Sequence, residues 1–349
     1  MTAPVVDDPT CRSATAAASD LPLAPPEAVG LDPRPLANLS AWISDQALDV
    51  RSFLLVKDGR LVFEHYGEGL DRDSNHETYS ITNTVTSLLF GILVEDGKVS
   101  LTDKLADLLA RDRPDLAPAL HDTQDIELRH LLSMSSGLFY TLTGPNDPLA
   151  DASRERLQVA LTATAKAAPG TVFNYTVTGP ILAGAALAAA AGEPEQRFAE
   201  ERLFKPLQMK NHDWTGADRT GAVSGGSGLR LRAMDMAKLG VMMLHGGQWQ
   251  DRQVVPRAWI TQMSTPQPTA KDYGYFCWIN HIVETEPEFG GMGFRGQFVT
   301  ILPERNAVVV MTSLLPETGG VRDAAFLQSY RQMVNDYVLP ALQGGTVAH

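Results

Sequence analysis

Strand-forming runs at both ends of the chain, with a long helical stretch between them, predict an α/β (α+β) fold: one antiparallel sheet built from both chain ends, flanked by helices, with a helical lobe inserted. The early run, R-S-F-L-L-V-K-D-G-R-L-V-F-E-H-Y from Arg51 to Tyr66, holds two β-rich segments joined by Asp58-Gly59. That dipeptide tolerates the positive φ angles of a tight turn, so a hairpin is expected. The late runs are Tyr273 to Val283, Gly293 to Leu302 and Ala307 to Leu314, with Pro303-Glu304-Arg305-Asn306 turning the last two into a hairpin.

Taken from the start, residues 1 to 30 are rich in Ala, Pro, Asp and Ser without periodicity and read as a loosely ordered arm. From Asp32, apolar residues at Leu36, Leu39, Trp42 and Ile43 suit a helix with prolines in its first turn. The sheet lobe is expected over 31–100 and 222–349, and a mainly helical lobe over 101–221, with loops at Pro114 to Pro118 and Gly144 to Pro148. Ala and Leu dominate Ile181 to Ala191, a helix that Gly192 closes. The run from Ser224 to Leu239 predicts a Gly-rich turn followed by a capped helix, and Val321 to Leu342 a helix lying across the sheet.

Composition narrows the function. With 349 residues, 44% hydrophobic, 20% charged and no long apolar run, the chain reads as a soluble globular protein of two intertwined lobes. The 41 acidic against 29 basic residues give a formal net charge of −12, which disfavours nucleic acid or an anionic membrane as partner. Cys11 and Cys277 imply no disulfide framework, and Cys277, in an apolar aromatic stretch, reads as a buried thiol. The eight histidines form no H-E-x-x-H, C-x-x-C or H-x-H pattern, so no metal and no cofactor are expected. The N-terminus lacks the positive region and unbroken apolar core of a secretory signal, which predicts a cytoplasmic location.

The chemistry centres on Glu77 to Lys98. Apolar residues at Val85, Leu88, Leu89, Ile92 and Leu93 recur at three- and four-residue spacing, so the segment after Ser80 reads as a helix with one buried face. Ser80 stands where that helix begins. A serine there is either an N-cap or a nucleophile directed out of a strand-to-helix corner.

The phrases that follow bear on this choice. After S-I-T-N at Ser80 come E-D-G-K-V-S-L-T-D-K-L, an acidic Pro-rich run, and I-E-L-R-H-L-L-S-M-S-S-G-L at Ile126 to Leu138. This succession resembles the serine β-lactamase family: class C β-lactamases, D,D-peptidases, and the related esterases and nylon-oligomer hydrolases. The resemblance implies a β-lactamase/transpeptidase-like fold and a serine hydrolase whose S-x-x-K motif sets serine and lysine on one helical turn, so that a neutral amine takes the hydroxyl proton. Here Ser80 occupies the nucleophile's place and Asn83 the lysine's. Within F-N-Y-T-V-T-G-P-I-L-A-G, Tyr175 matches the tyrosine that faces the nucleophile and shuttles a proton, and Val177 stands where class C β-lactamases carry asparagine. F-G-G-M-G-F-R-G-Q-F occupies the place of the K-T-G strand, with Gly291 and Gly293 in register and the basic first residue missing. By that alignment the N–H groups of Ser80 and Phe294 form the oxyanion hole. Arg295 is either a residue for an acidic substrate group or a solvated arginine. His130 belongs to the family's structural phrase, and Tyr140, Trp214, Tyr273, Phe276 and Trp278 are candidates for an acyl pocket or for core packing.

Three readings follow: a serine hydrolase or acyltransferase acting on a small-molecule ester or amide through a Ser80 acyl-enzyme, impaired by Asn83; a non-catalytic binding or scaffold homologue that has lost its base; or an active enzyme in which asparagine has been substituted for the lysine. The missing lysine of K-T-G, with Val177 and Gly291 in place of the polar residues of a β-lactamase, favours small esters or linear amides over β-lactams.

Overall fold

The computed structural model describes residues 20–141, 147–316 and 324–343. Cys11, the first 19 residues of the expected arm, Gly144 to Asn146 of one expected loop, and the start of the expected tail helix lie outside them. Helix α1 (Pro33–Asp45) begins with the Asp32 side chain accepting the N–H of Arg34, and two prolines sit in its first turn. Strands β1 (Val50–Lys57) and β2 (Arg60–Tyr66) form the expected hairpin, Asp58 and Gly59 both taking positive φ. They end a six-stranded antiparallel sheet ordered Trp278–Ile279, Phe289–Gly293, Gln297–Leu302, Ala307–Ser313, β1, β2.

The sheet buries both faces. On one lies the Ala233–Leu244 helix, where Gly240 permits contact with Val308 and Val299; a Cβ there would stand 2.4 Å from Val308. Against the other, Tyr330 of the Ala325–Met333 helix stacks on Phe298 at 3.8 Å between ring centroids. Three expectations are corrected. Tyr273 to Val283 contains only the Trp278–Ile279 strand, because Phe276 and Asn280 take positive φ and break the extension. Gly293 to Leu302 is interrupted by a turn at Phe294–Gly296 that joins two strands. The expected loop at Pro114 lies in a 3₁₀ helix reaching Thr123.

A small second sheet escaped the sequence reading: β3 (Asn75–Glu77), Leu229–Arg232 and Asp213–Trp214, all antiparallel. It inserts a strand between the Gly-rich turn and the Ala233–Leu244 helix. Residues 20–30, expected within a loose arm, lie against the hairpin instead, Leu23 bridging Leu61 and Asp20 reaching an ionic cluster. In that cluster Arg232, Asp235 and Lys238 are fully buried; Asp235 accepts from Arg232 Nε at 2.7 Å and lies 3.0 Å from Lys238 Nζ.

Helix α2 (Ile81–Glu95) runs between the sheet and the helical lobe, and every residue from Ile81 to Leu93 is buried. Its inward hydroxyls are all engaged. Ser87 donates to the Tyr275 carbonyl at 2.7 Å and Thr84 to that of Phe276 at 3.0 Å. Thr86 Oγ1 lies 2.8 Å from the Gly225 carbonyl and 2.6 Å from Glu195 Oε1. One hydroxyl has one proton, so Thr86 serves one of these two acceptors at a time. Burial pushes the Glu195 carboxyl up to about 7, against the smaller effect of the Thr86 hydrogen bond.

Two outcomes test these interior groups. Asp235→Ala leaves two buried cations short of a partner and should cost about 3–5 kcal/mol in urea unfolding; a loss under about 1 kcal/mol would count against the cluster. The folded protein holds the Glu195 proton more tightly than the unfolded chain does, so stability falls as pH rises from the ordinary glutamate range through about 7. Glu195→Gln keeps a donor and removes the titration. Relative to the wild type it should gain about 3 kcal/mol between pH 5 and pH 8; a difference independent of pH refutes the assignment.

Candidate active site

The corner before Ser80 is built by backbone geometry. Tyr79 takes φ +46°, and Ile81 N–H and Thr82 N–H close tight turns onto the carbonyls of Thr78 and Tyr79 at 3.1 and 3.0 Å. Thr78 is anchored twice to Leu229, its N–H and its hydroxyl both donating to that carbonyl. Ser80 follows at the N-cap position of α2, and its side chain makes no capping hydrogen bond. The hydroxyl contacts the Tyr175 hydroxyl instead. The cap reading is thus not the one this geometry uses.

One helical turn on, Asn83 is 3% exposed and donates from Nδ2 to Tyr175 Oη at 3.0 Å. Its Oδ1 is buried without a hydrogen-bond partner and faces Gly226, where a Cβ would approach to 2.9 Å. Tyr175 stacks on Trp278 at 5.7 Å and meets the edge of Tyr273 at 6.0 Å. Burial pushes its phenol above the usual value, and the contacts with Ser80 and Asn83 only partly oppose this. Ser80, Asn83 and Tyr175 therefore form one connected group in which no member is a base at neutral pH.

These three border a cleft of about 400 Å³. Its walls are largely apolar: Tyr79, Leu149, Val177, Pro180, Ile181 and Phe294. Val177 is 56% exposed, an apolar side chain presented to whatever enters. The two charged residues on the rim are already engaged. Asp147 accepts from the Tyr140 hydroxyl at 2.7 Å, and Arg156 donates to the carbonyls of Gly216, Leu149 and Ala222. Ser80 and Phe294, the expected oxyanion pair, both border the cleft, and the Phe294 ring packs edge-on against Tyr79 at 5.4 Å.

The remaining candidates lie elsewhere. A Cβ at Gly293 would stand 2.3 Å from the Thr78 carbonyl and one at Gly291 3.0 Å from Thr84 Oγ1, so these glycines admit the start of α2 against the strand. Arg295 does not border the cleft; its guanidinium donates to the Leu314 carbonyl at 3.0 Å. Trp214 holds the Gly-rich turn through Ser224 and Ser227, and Tyr273, Phe276 and Trp278 are core residues behind Tyr175. His130 completes a capping box with Glu127, as its structural reading required. Tyr79, Ser224 and Ser227, also on the cleft, carried no spacing signal that marked them. Among the described residues no group of His, Cys, Asp or Glu is placed to hold a metal, and no helix is long and apolar enough to cross a membrane.

Known proteins share this fold. The chain is 21% identical over 374 residues to an Escherichia coli (strain K12) protein inferred to be a D-alanyl-D-alanine carboxypeptidase, covering 84% of this chain and 85% of that one. It is 20% identical over 296 residues to the 6-aminohexanoate-dimer hydrolase of Paenarthrobacter ureafaciens, covering 76% and 73%. The solved structure of EstCE1, described as a hydrolase with promiscuous acyltransferase activity, superposes with a TM-score of 0.70 at 18% identity over 88% of this chain and 99% of that one. The "Beta-lactamase" family model matches residues 44–332. The chain belongs to the β-lactamase family, with the fold of its penicillin-binding-like proteins, esterases and aminohexanoate-dimer hydrolases.

Proposed function

We propose that the protein is a serine hydrolase acting on small esters or linear amides through an acyl-enzyme at Ser80, with turnover held low by Asn83. The observation that carries this reading is the Ser80 hydroxyl, released from capping and set against Tyr175 beside the Asn83 amide. In acylation Ser80 Oγ attacks the carbonyl carbon, the N–H groups of Ser80 and Phe294 receive the oxyanion, and collapse expels the alcohol or amine after protonation. In this reading Tyr175, a phenol, gives that proton to the leaving group and takes the Ser80 proton in exchange, so it ends as a phenol again. Water, or an alcohol or amine in transfer, then attacks the ester.

The deficit lies in the first proton transfer. An amide can orient the Ser80 hydroxyl but has no basic lone pair near neutral pH to take its proton. A lysine ammonium, which would have lowered the Tyr175 pKa, is also missing. Loss of a general base is typically worth about 10²–10⁴ in rate. The apolar cleft walls and the absence of a free cation among the bordering residues support a neutral substrate over a β-lactam carboxylate. Asn83 itself favours a second reading, a binding homologue without catalysis, and the following experiment separates the two.

Asn83→Lys should raise kcat on p-nitrophenyl butyrate by at least about a hundredfold with binding nearly unchanged. If the Asn83 form already equals it, another group activates Ser80; if lysine restores nothing, the binding reading stands. Treatment of the lysine variant with a fluorophosphonate, followed by peptide mapping, should place the adduct on Ser80, and an adduct on another serine ends the assignment. The same variant should prefer the ester to nitrocefin. Nitrocefin turnover within about tenfold of the ester, or ~1.4 kcal/mol in barrier, would overturn that preference.

A further inference from the structure

The small sheet ends where the cleft begins. In its register Asn75 pairs with Arg232, His76 with Leu231 and Glu77 with Arg230, and the Thr78 N–H continues it by donating to the Leu229 carbonyl at 2.9 Å. The next pair in that register is Tyr79 with Gly228. Tyr79 takes φ +46° and Gly228 φ +86°, so both leave the extended conformation and no backbone rung closes between them. Two N–H groups are released at a part-buried strand end, and each needs an acceptor.

One side-chain oxygen takes both. Glu77 Oε1 accepts from the Tyr79 N–H at 3.2 Å and from the Gly228 N–H at 3.0 Å. The two donors belong to different walls of the cleft. Tyr79 precedes Ser80, and Gly228 closes the Gly-rich turn whose Ser224, Gly226 and Ser227 border the cleft. Trp214 Nε1 holds that turn through the carbonyls of Ser224 and Ser227, both at 3.1 Å, and the Thr215 N–H holds the Gly228 carbonyl at 2.7 Å. The Thr78 rung joins the strands as far as Leu229, and Glu77 carries the connection past it to Tyr79 and Gly228. Rotation at Tyr79 would carry the Ser80 N–H and hydroxyl with it.

We propose that Glu77 is a positioning residue for acylation: its side-chain oxygen replaces the rung between Tyr79 and Gly228 and so fixes Ser80 relative to the Gly-rich wall of the cleft. The proposal rests on the acyl-enzyme reading, in which the Ser80 hydroxyl attacks and the Ser80 N–H receives the oxyanion. What the geometry uses is an acceptor at this reach. Glutamine keeps that oxygen, whereas leucine and alanine have none.

The test compares Asn83→Lys protein carrying Glu77 with the same protein carrying Glu77→Gln, Glu77→Leu or Glu77→Ala, at a temperature well below every Tm. The readouts are kcat and KM for p-nitrophenyl butyrate, the rate of fluorophosphonate labelling at Ser80, and Tm. A misplacement of about 1 Å can cost about 10²-fold in rate. Glu77→Leu and Glu77→Ala should therefore each lower kcat and the labelling rate at least about tenfold, with KM changed less than about threefold. Glu77→Gln should recover most of that loss. A Glu77 that only supports the fold would lower Tm in the leucine and alanine variants and leave the labelling rate per folded molecule unchanged, which overturns the proposal. A glutamine variant as slow as the leucine one also overturns it, since charge and not the acceptor would then be responsible. If the Asn83→Lys parent does not label at Ser80, the acyl-enzyme reading fails and the proposal falls with it; if the parent labels and Glu77→Leu labels equally fast, the proposal fails alone. Should the leucine or the alanine variant not fold, the other decides.

Discussion

Helix α2 is enclosed on every side, and that enclosure sets the terms for the site. A buried helix carrying Thr82, Asn83, Thr84, Thr86 and Ser87 brings polar groups where water cannot satisfy them, so surrounding backbone must. The partners are the carbonyls of Phe276, Tyr275 and Gly225, the Glu195 carboxyl and the Tyr175 hydroxyl. The carbonyls and the hydroxyl lie on three separate loops and Glu195 begins the Glu195–Ala199 helix, and the loops of Tyr175 and Gly225–Gly226 border the cleft. Satisfying the helix and assembling the site are therefore one requirement. The cleft is held to α2 by hydrogen bonds that cannot be given up cheaply.

Asn83 shows the same constraint imperfectly met. Its Nδ2 finds Tyr175, while Oδ1 is buried and unpartnered beside Gly226. An ammonium at this position would carry three donors, no acceptor and a charge, all of which would need partners in the same space. The unsatisfied Asn83 acceptor costs about 1–3 kcal/mol.

Much of this was legible in the chain. The Asp58-Gly59 hairpin, the start of α2 at Ser80 and the closure of the Thr178–Ala191 helix at Gly192 each rest on neighbours in sequence, where turn chemistry and periodicity act. What was missed depends on distant partners. The β3 strand is three residues long and exists because Leu231 lies opposite His76, more than 150 positions away. Tyr273 to Val283 has the composition of a strand, but Phe276 is held at φ +50° with its N–H on Leu132 and its carbonyl on Thr84. The glycines at 291 and 293 were legible as sites of close approach; that the approaching group is α2 was not.

The corner before Ser80 shows how such distant contacts act on that residue. Tyrosine at φ +46° is strained by about 1–3 kcal/mol and persists only where its surroundings leave no alternative. Here Glu77 holds its N–H, Phe294 packs on its ring, and the Leu229 carbonyl pins Thr78 twice on the other side. All three restraints come from the antiparallel segments around α2. Relaxing Tyr79 to negative φ would swing Ser80 toward an ordinary cap and remove its hydroxyl from Tyr175. The strain is thus the local form of the enclosure of α2: the helix cannot move to relieve it, so the serine stays directed into the cleft.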